Sequence, residues 1–333
     1  MLVLLWGLCG ERPLAAVREE LISLGVPVLT LDQREVLSTE VRISVNRNLT
    51  GAIRIRDEWV DLASVSAVYL RPYDSRSLPV VAREGENSSA WRYALAVEYA
   101  LASWSDVTQA LVVNRPQALA ANGSKPYQLE QIRNLGFKVP ETLITTDPAA
   151  ALDFWERHGE VIYKSVSGIR SIVSRLRTEH AQRLADVSFC PTQFQVYVPG
   201  TDHRVHVVGK EVFACEVISK ADDYRYPGRY EVEIHARRLP RDIEERCRLV
   251  AASMRLLVAG IDLRRTPEGE WYCFEVNTSP AFTYYENKTG QPIGNAIARL
   301  LAAGPRNASE TGEANEEERP VQDPAAEIAG IYE

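Results

Sequence analysis

Two acidic residues and one amide occur late in the chain at a spacing that could bind a metal ion. Asp262 lies before, and Glu275 and Asn277 lie after, the segment Pro267–Gly269, which has the composition of a hairpin turn. Carboxylate and carboxamide oxygens on neighbouring antiparallel strands are hard ligands suited to Mg²⁺ shared with substrate phosphates. The sequence therefore predicts a magnesium site. The alternative is an ordinary amphipathic hairpin with a polar outer face.

Strict alternation along the second strand of this hairpin assigns its side chains to faces. Cys273 is expected on the polar face with Glu275 and Asn277. Phe274 and Val276 are expected on the opposite face, in the core.

Two lysines could neutralise phosphate groups. Lys164 ends an apolar segment and enters the small-residue loop Ser165–Gly168, in which Ser167 and Gly168 could present backbone N–H groups to a phosphate. Lys125 comes directly before the predicted helix Pro126–Leu135 of an earlier segment. No Walker A sequence occurs in the chain. The alternative is two surface lysines with solvated ammonium groups.

Residues 193–209 have the pattern of two strands separated by a Pro-Gly break. Gln195 could hydrogen-bond an adenine amino group, and Asp202 could accept hydrogen bonds from ribose hydroxyls. Arg204 offers bidentate recognition of a phosphate or an acyl phosphate. His206 shares the face of Asp202 and Arg204 by period two and is a candidate for substrate contact or for orienting a neighbour. The alternative is an exposed polar strand face.

A local excess of positive charge follows. In a chain of net charge −7 it indicates a carboxylate-bearing substrate or a transferred phosphate, or else a solvated loop. The residues are Lys220, Arg225, Arg229, Arg237 and Arg238.

Composition limits the class of protein. The 333 residues are 45% apolar and 25% charged, which is ordinary for a globular protein, and the net negative charge argues against general nucleic-acid binding. Five cysteines without a Cys-x-x-Cys pair favour free thiols in a reducing cytoplasm. The apolar start, Met1–Cys9, has no basic region and predicts a buried strand instead of a signal peptide, and no other segment approaches a membrane span.

The elements that must position these residues alternate between strand and helix, which predicts an α/β protein with α+β subdomains. The first strands and helix favour a parallel β-α-β unit. Composition after Gly304 predicts a disordered tail. The predicted units are an amino-terminal α/β domain (1–115), a central subdomain (116–198), a carboxyl-terminal subdomain with the metal site (199–304) and the tail (305–333).

The order of these residues resembles that of ATP-grasp ligases over residues 115–302, and the Phe-Glu-Val-Asn ending is the most specific part of the resemblance. Within that superfamily the chain is similar to the branch of RimK-type glutamate ligases and graspetide maturases of the microviridin type. Segments that resemble the graspetide enzymes, including their pre-ATP-grasp domain, are 31–32, 38–41, 60–71, 139–148 and 286–293. The resemblance implies an ATP-grasp fold preceded by such a domain.

The resemblance also implies roles for the candidate residues. Lys125 and Lys164 would hold the α- and β-phosphates of ATP. Gln195 and the Val198 backbone would bind adenine, and Asp202 the ribose. Two Mg²⁺ ions would be held by Asp262, Glu275 and Asn277.

The implied chemistry is formation of an ester or an amide through an acyl phosphate, with Arg204 and Arg225 as catalytic residues. The substrate would be a precursor peptide whose side chains are joined into a macrocycle, bound in part by His206, Lys220, Arg229 and Arg238. The enzyme would be a cytoplasmic homodimer. The alternative is a RimK-like ligase that adds amino acids to a protein or a small molecule, because Thr278-Ser279-Pro280 is closer to the RimK-type pattern.

Overall fold

The amino-terminal part of the chain forms a parallel sheet with a small antiparallel sheet beside it. The computed structural model describes residues 1–46, 49–119, 124–166, 172–219, 221, 223–226 and 230–305. The first of these segments contain β1 (Leu2–Gly7), α1 (Arg12–Ser23), β2 (Val28–Asp32), β3 (Glu40–Val45), β4 (Leu49–Ile55), β5 (Glu58–Asp61), β6 (Val65–Arg71), α2 (Pro79–Ala82), α3 (Ser89–Val107), β7 (Leu111–Val113) and α4 (Pro116–Leu119).

The parallel sheet has the strand order β2-β1-β6-β7. Its central strands are almost continuously apolar because both faces are covered. Leu4 and Trp6 pack in a cluster with residues of α3, and Val3 and Leu5 pack on the other side with residues of α1. The predicted buried first strand and its parallel β-α-β unit are confirmed.

The middle part of the chain forms a separate antiparallel sheet of order β10-β9-β11-β8. Phe154 and Phe194 lie in the apolar cluster between this sheet and its helical cover. The elements are α5 (Lys125–Asn134), β8 (Thr142–Thr145), α6 (Pro148–His158), β9 (Val161–Ser165), β10 (Ser174–Arg175), a 3₁₀ segment (Thr178–Phe189) and β11 (Thr192–Val196).

The last sheet is antiparallel, with order β14-β13-β12-β15-β16. One face carries α7 and the buried Ile132 of α5 in a single apolar cluster. The elements are β12 (Thr201–Val208), β13 (Glu211–Ser219), β14 (Val232–Arg237), α7 (Arg241–Ser253), β15 (Val258–Arg265), β16 (Trp271–Asn277), α8 (Thr283–Thr289) and α9 (Ile293–Ala303).

Helix α9 joins the two ends of the chain. Ile293, Ile297 and Leu301 are fully buried in the same cluster as Val3 of β1 and Val17 of α1. The first and last sheets are therefore held together by a common core.

All five cysteines have free thiols, and no helix within the described ranges is both long and apolar enough to cross a membrane. The predicted tail lies outside the described residues apart from its first residue. The predicted domain borders remain predictions.

Candidate active site

The two carboxylates predicted to bind metal face each other across a strand pair. Asp262 of β15 is in register with Glu275 of β16, and Gly260 is in register with Asn277. The turn between the strands closes through hydrogen bonds from Gly269 N to Thr266 O and from Thr266 N to Glu270 O. The predicted hairpin is therefore confirmed.

The prediction that Cys273 shares the polar face, with Phe274 in the core, is wrong. Asp262 pairs with Glu275 but Leu263 pairs with Cys273, so Phe274 is an extra residue in a β-bulge. The bulge breaks the alternation and turns Cys273 into the core beside Val276, where both are fully buried. The Phe274 ring instead lies 5.2 Å from the Arg264 guanidinium carbon.

Helix α5 brings Lys125 to this hairpin. The Lys125 Nζ donates to Glu275 Oε1. One turn later, Gln128 is 1% exposed and clamps the backbone of Val276: its Nε2 donates to Val276 O (2.7 Å), and its Oε1 accepts from Val276 N (2.9 Å). Because Val276 separates the two predicted ligands Glu275 and Asn277, the clamp fixes the lysine and these ligands in one arrangement.

Lys164 is the penultimate residue of β9, where it is in register with Gln193 of β11. Burial lowers the pKa of Lys164 below its ordinary value of 10.5, against the Glu275 carboxylate, which raises it. Burial alone would raise the pKa of Glu275, but Lys125, Lys164 and Arg225 outweigh it and hold that pKa below its ordinary value. Lys125 and Lys164 therefore act on the same carboxylate.

Arg204 neutralises the other carboxylate. Its Nη1 donates to Asp262 Oδ1 at 2.7 Å, and its side chain is 6% exposed. Burial by itself would lower the pKa of Arg204. The carboxylate of Asp262 is among the groups that outweigh burial, and the pKa is raised. Gly260 makes room for the guanidinium, because a Cβ at that position would collide with Arg204.

His206 lies beneath Arg204 and is 1% exposed. Its Nε2 is 3.5 Å from Arg204 Nε, and its ring is 5.2 Å from that of Tyr285. Burial, followed by the charge of Arg204, lowers the pKa of His206 well below its ordinary value. The lowered pKa favours the neutral imidazole at neutral pH, which can accept the Arg204 N–H, so this position favours an orienting role.

Arg225 is also paired with an acid. It forms a bidentate ion pair with Asp223, with distances of 2.8 and 2.7 Å. These hydrogen bonds raise the pKa of Arg225, whereas the pKa of Asp223 is lowered because Arg225 outweighs the effect of burial. The hydroxyls of Tyr224 and Tyr285 are 3.0 Å apart and join this segment to α8.

The residues predicted to bind adenine and ribose lie at the junction of β11 and β12. Gln195 is 1% exposed; its Nε2 donates to Thr142 Oγ1 at 2.9 Å, while its Oε1 is buried without a hydrogen-bond partner among the described residues. Asp202 pairs with Arg264, which also donates to Val198 O. A buried, unsatisfied acceptor is the group an adenine amino group would need.

Sequence analysis missed Arg264, although a signal for it exists. It is two residues after Asp262, so alternation places it on the same face. It also missed Gln128 and Arg71, because nothing local indicates contacts across more than a hundred residues.

Some predicted substrate residues are not brought to this cluster. Arg237 pairs with Glu216 on the exposed side of β14, and Arg238 directly after it is also exposed. Ser167, Gly168, Lys220 and Arg229 lie outside the described residues. The roles of all these residues remain predictions.

The donor set fits hard cations. The parts of the chain that the structure describes hold no group of three His, Cys, Asp or Glu side chains arranged for a metal. The hairpin instead offers two carboxylates and the Asn277 amide oxygen, which also accepts from Ser279 N at 2.9 Å. An all-oxygen, partly supplied site is what Mg²⁺ uses when phosphates and water complete its coordination.

Part of the chain matches a known protein family. The RimK-like ATP-grasp domain family matches residues 120–301. No protein of curated function matches the chain by sequence.

Solved structures match almost the whole chain. The macrocyclase MdnC from Microcystis aeruginosa MRC, bound with precursor peptide MdnA, is 22% identical, with a TM-score of 0.77 over 91% of this chain and 100% of that chain. A Chryseobacterium gregarium RiPP-associated ATP-grasp ligase, in complex with ADP and a leader and core peptide, is 22% identical, with a TM-score of 0.77 over 91% and 96%. The ATP-grasp ligase PsnB, complexed with a minimal precursor variant, Mg and ADP, is 26% identical, with a TM-score of 0.75 over 90% and 97%.

Proposed function

The chain belongs to the RimK-like ATP-grasp family, and on that premise we propose that it is an ADP-forming ligase that macrocyclises a ribosomally made precursor peptide. The observation that carries the ligase chemistry is the cross-strand pair of Asp262 and Glu275, with Arg204 and Lys125 on the two carboxylates. Similarity to precursor-bound ligases over about nine tenths of the chain supports a peptide substrate.

ATP would bind between the middle and last sheets. The free acceptor of Gln195 would take the adenine amino group, the Val198 backbone would contact the base, and Asp202 would accept from the ribose. Lys125 and Lys164 would hold the α- and β-phosphates as point charges. The loop residues Ser167 and Gly168 would close over the phosphates.

Asp262, Glu275 and Asn277 would hold two Mg²⁺ ions. When bound, the ions neutralise the charge of the phosphates during phosphoryl transfer. The cations that now neutralise the two carboxylates are the same groups proposed to hold the phosphates and the transferred phosphoryl group. The cluster is therefore suited to exchange its internal ion pairs for a metal–nucleotide complex.

The reaction would proceed in two steps. A substrate carboxylate oxygen attacks the γ-phosphorus, the bond to ADP breaks, and an acyl phosphate forms. A hydroxyl or amine of the same peptide then attacks the acyl carbon, loses its proton and expels phosphate. Arg204 and Arg225 would stabilise the transferred phosphate and the tetrahedral oxyanion, and His206, as a neutral acceptor, would orient Arg204.

Three further basic residues are proposed to contact the substrate. Lys220, Arg229 and Arg238 would contact acidic side chains of the peptide. We expect the protein to be cytoplasmic and to form a homodimer, and light scattering on the purified chain would test the dimer.

The deciding experiment supplies the purified protein with ATP, Mg²⁺ and a short acidic peptide containing Thr, Ser or Lys acceptors, encoded beside its gene. Peptide-dependent ADP release with loss of one water per ring supports the proposal. ADP release with free amino acids, and addition of their mass to a protein or small-molecule carboxylate, would instead support the RimK-like alternative, which the Thr278-Ser279-Pro280 segment favours. No ADP release with any carboxylate would overturn both.

A further inference from the structure

Arg264 connects the two predicted contacts of the nucleoside. Its Nε and Nη2 donate to the two oxygens of Asp202 at 2.7 and 2.9 Å, and its Nη1 donates to Val198 O at 2.8 Å. Asp202 and Arg264 are in register on β12 and β15. One guanidinium thus fixes the predicted ribose acceptor and the backbone that precedes it.

The guanidinium of Arg264 is largely buried and lies near two aromatic rings. Its side chain is 15% exposed, and its guanidinium carbon lies 5.7 Å from the Tyr197 ring and 5.2 Å from the Phe274 ring. Phe274 reaches this position because it is the extra residue of the bulge in β16. Burial opposes the charge, but the hydrogen bonds that Arg264 donates to the Asp202 carboxylate outweigh it and raise the pKa of Arg264.

We propose that Arg264 is a positioning residue that sets selectivity for the ribose of the bound nucleotide. This inference rests on the proposed function, in which Asp202 is the ribose acceptor. Arg264 does not touch the reacting atoms. It acts by fixing the orientation of the Asp202 carboxylate and the position of the Val198 backbone.

The geometry leaves Asp202 able to bind ribose while it is paired. A carboxylate has about four acceptor positions, and the bidentate fork of Arg264 uses one on each oxygen. The remaining positions can accept from two hydroxyls, and their directions are set by the plane that the guanidinium imposes. Lysine would keep the charge but not this plane, because an ammonium group is a point charge without a fork.

The experiment compares three nucleotides on four forms of the full chain. Dissociation constants for ATP, 2′-deoxy-ATP and 3′-deoxy-ATP with Mg²⁺ are measured by isothermal titration calorimetry for wild type, Arg264→Met, Arg264→Lys and Arg265→Met. Arg265 is the matched control, since it is the next residue, carries the same charge and is exposed. Thermal melting of each form confirms that it is folded.

We expect wild type to prefer ATP over the deoxynucleotides by about 10-fold or more, because a hydrogen bond to a charged group is lost. In Arg264→Met the ratio of the dissociation constant for a deoxynucleotide to that for ATP falls toward one, and the affinity for ATP also falls. In Arg264→Lys the preference falls in the same way, with a smaller loss of ATP affinity. Arg265→Met keeps both wild-type values.

Two outcomes overturn the inference. If Arg264→Met and Arg264→Lys weaken all three nucleotides equally and keep the wild-type preference, Arg264 merely ties β12 to β15. If wild type binds no adenine nucleotide, the proposed function fails and this inference fails with it. In the first outcome the wild type still binds ATP, so the two failures are distinguishable.

Discussion

Glu275 lies directly across the strand pair from Asp262, and each carboxylate is held by a different cation. Lys125 reaches Glu275 from helix α5, and Arg204 reaches Asp262 from the adjacent strand β12. Four cations and three carboxylates thus share one site, because Lys164 and Arg225 also act on the charge of Glu275 and Arg225 is paired with Asp223. Such a cluster can bind a polyanion and its metal ions while keeping its local charge nearly balanced.

Replacing Glu275 by alanine is expected to abolish ADP release while leaving the fold intact. The change removes one of only two carboxylates proposed to hold metal, and phosphoryl transfer depends on that charge neutralisation. ADP release is measured by a coupled assay and folding by circular dichroism.

Glu270→Ala is the matched control, since Glu270 is on the same hairpin and pairs with the exposed Lys138. Its activity should equal that of wild type. Turnover retained by Glu275→Ala would show that the metal assignment is wrong.

Because of Lys164, we expect the protein to take up protons when it binds nucleotide at alkaline pH. Its pKa is lowered by burial, so between that pKa and the ordinary 10.5 it is partly neutral in the folded protein. Phosphates near the ammonium group would raise the pKa again, and a proton would bind with the nucleotide. Calorimetric titrations of ATP in two buffers of different ionisation enthalpy measure this uptake.

The same lowering of the Lys164 pKa determines how the stability of the folded protein changes with pH. As the pH rises through this window, the folded chain loses the Lys164 proton before the unfolded chain does, so the contribution of Lys164 to stability increases. Lys164→Arg should bind ATP without proton uptake, because arginine stays protonated. Equal apparent binding enthalpies for wild type in both buffers would contradict this account.

Sequence alone predicted those parts of the site that depend on local periodicity. The hairpin register of Asp262 and Glu275 and the shared face of Asp202, Arg204 and His206 follow from a turn signal and a period of two. The ATP-grasp fold and the RimK-like relationship, predicted from motif order, are confirmed.

The rest depends on contacts that no local pattern encodes. The bulge at Phe274 inserts one residue without interrupting the apolar-polar pattern, so alternation misplaced Cys273. Arg264 meets Asp202 because β12 and β15 are neighbours in the sheet but not in the chain. The roles of the individual site residues stay predictions, because their test is chemical.

Arg71 is expected to contribute strongly to stability by joining the first sheet to the last. Its guanidinium forms a bidentate ion pair with Glu11 and donates to Ser279 Oγ and Pro280 O, both at 3.1 Å. The paired side chains are 8% and 17% exposed. Arg71→Met leaves a largely buried carboxylate without its cation, so the free energy of unfolding should fall by about 3 kcal/mol in urea denaturation.

The double variant Arg71→Met/Glu11→Gln should recover part of that loss, because the unpaired charge is gone. Arg299→Met is the control: its ion pair with Glu211 is half exposed on both sides and should change stability by less than about 1 kcal/mol. A loss as small for Arg71→Met as for Arg299→Met would exclude this role for the buried pair.

Gln128→Met is expected to reduce both stability and turnover. β16 is an edge strand of its sheet, and Gln128 satisfies the outward N–H and C=O of Val276. Methionine has a similar shape but cannot replace either hydrogen bond, so the free energy of unfolding should fall by about 2–4 kcal/mol. Lys125, one turn earlier, and Glu275, one residue away, lose their common anchor, so kcat should fall at saturating ATP even where the variant is fully folded.

The same change at Gln131, whose amide contacts Tyr127 on its own helix, should leave kcat unchanged and alter stability by about 0.5 kcal/mol or less. Because a purely structural clamp would lower the melting temperature without changing kcat in the folded population, kinetics measured well below that temperature separate the two roles.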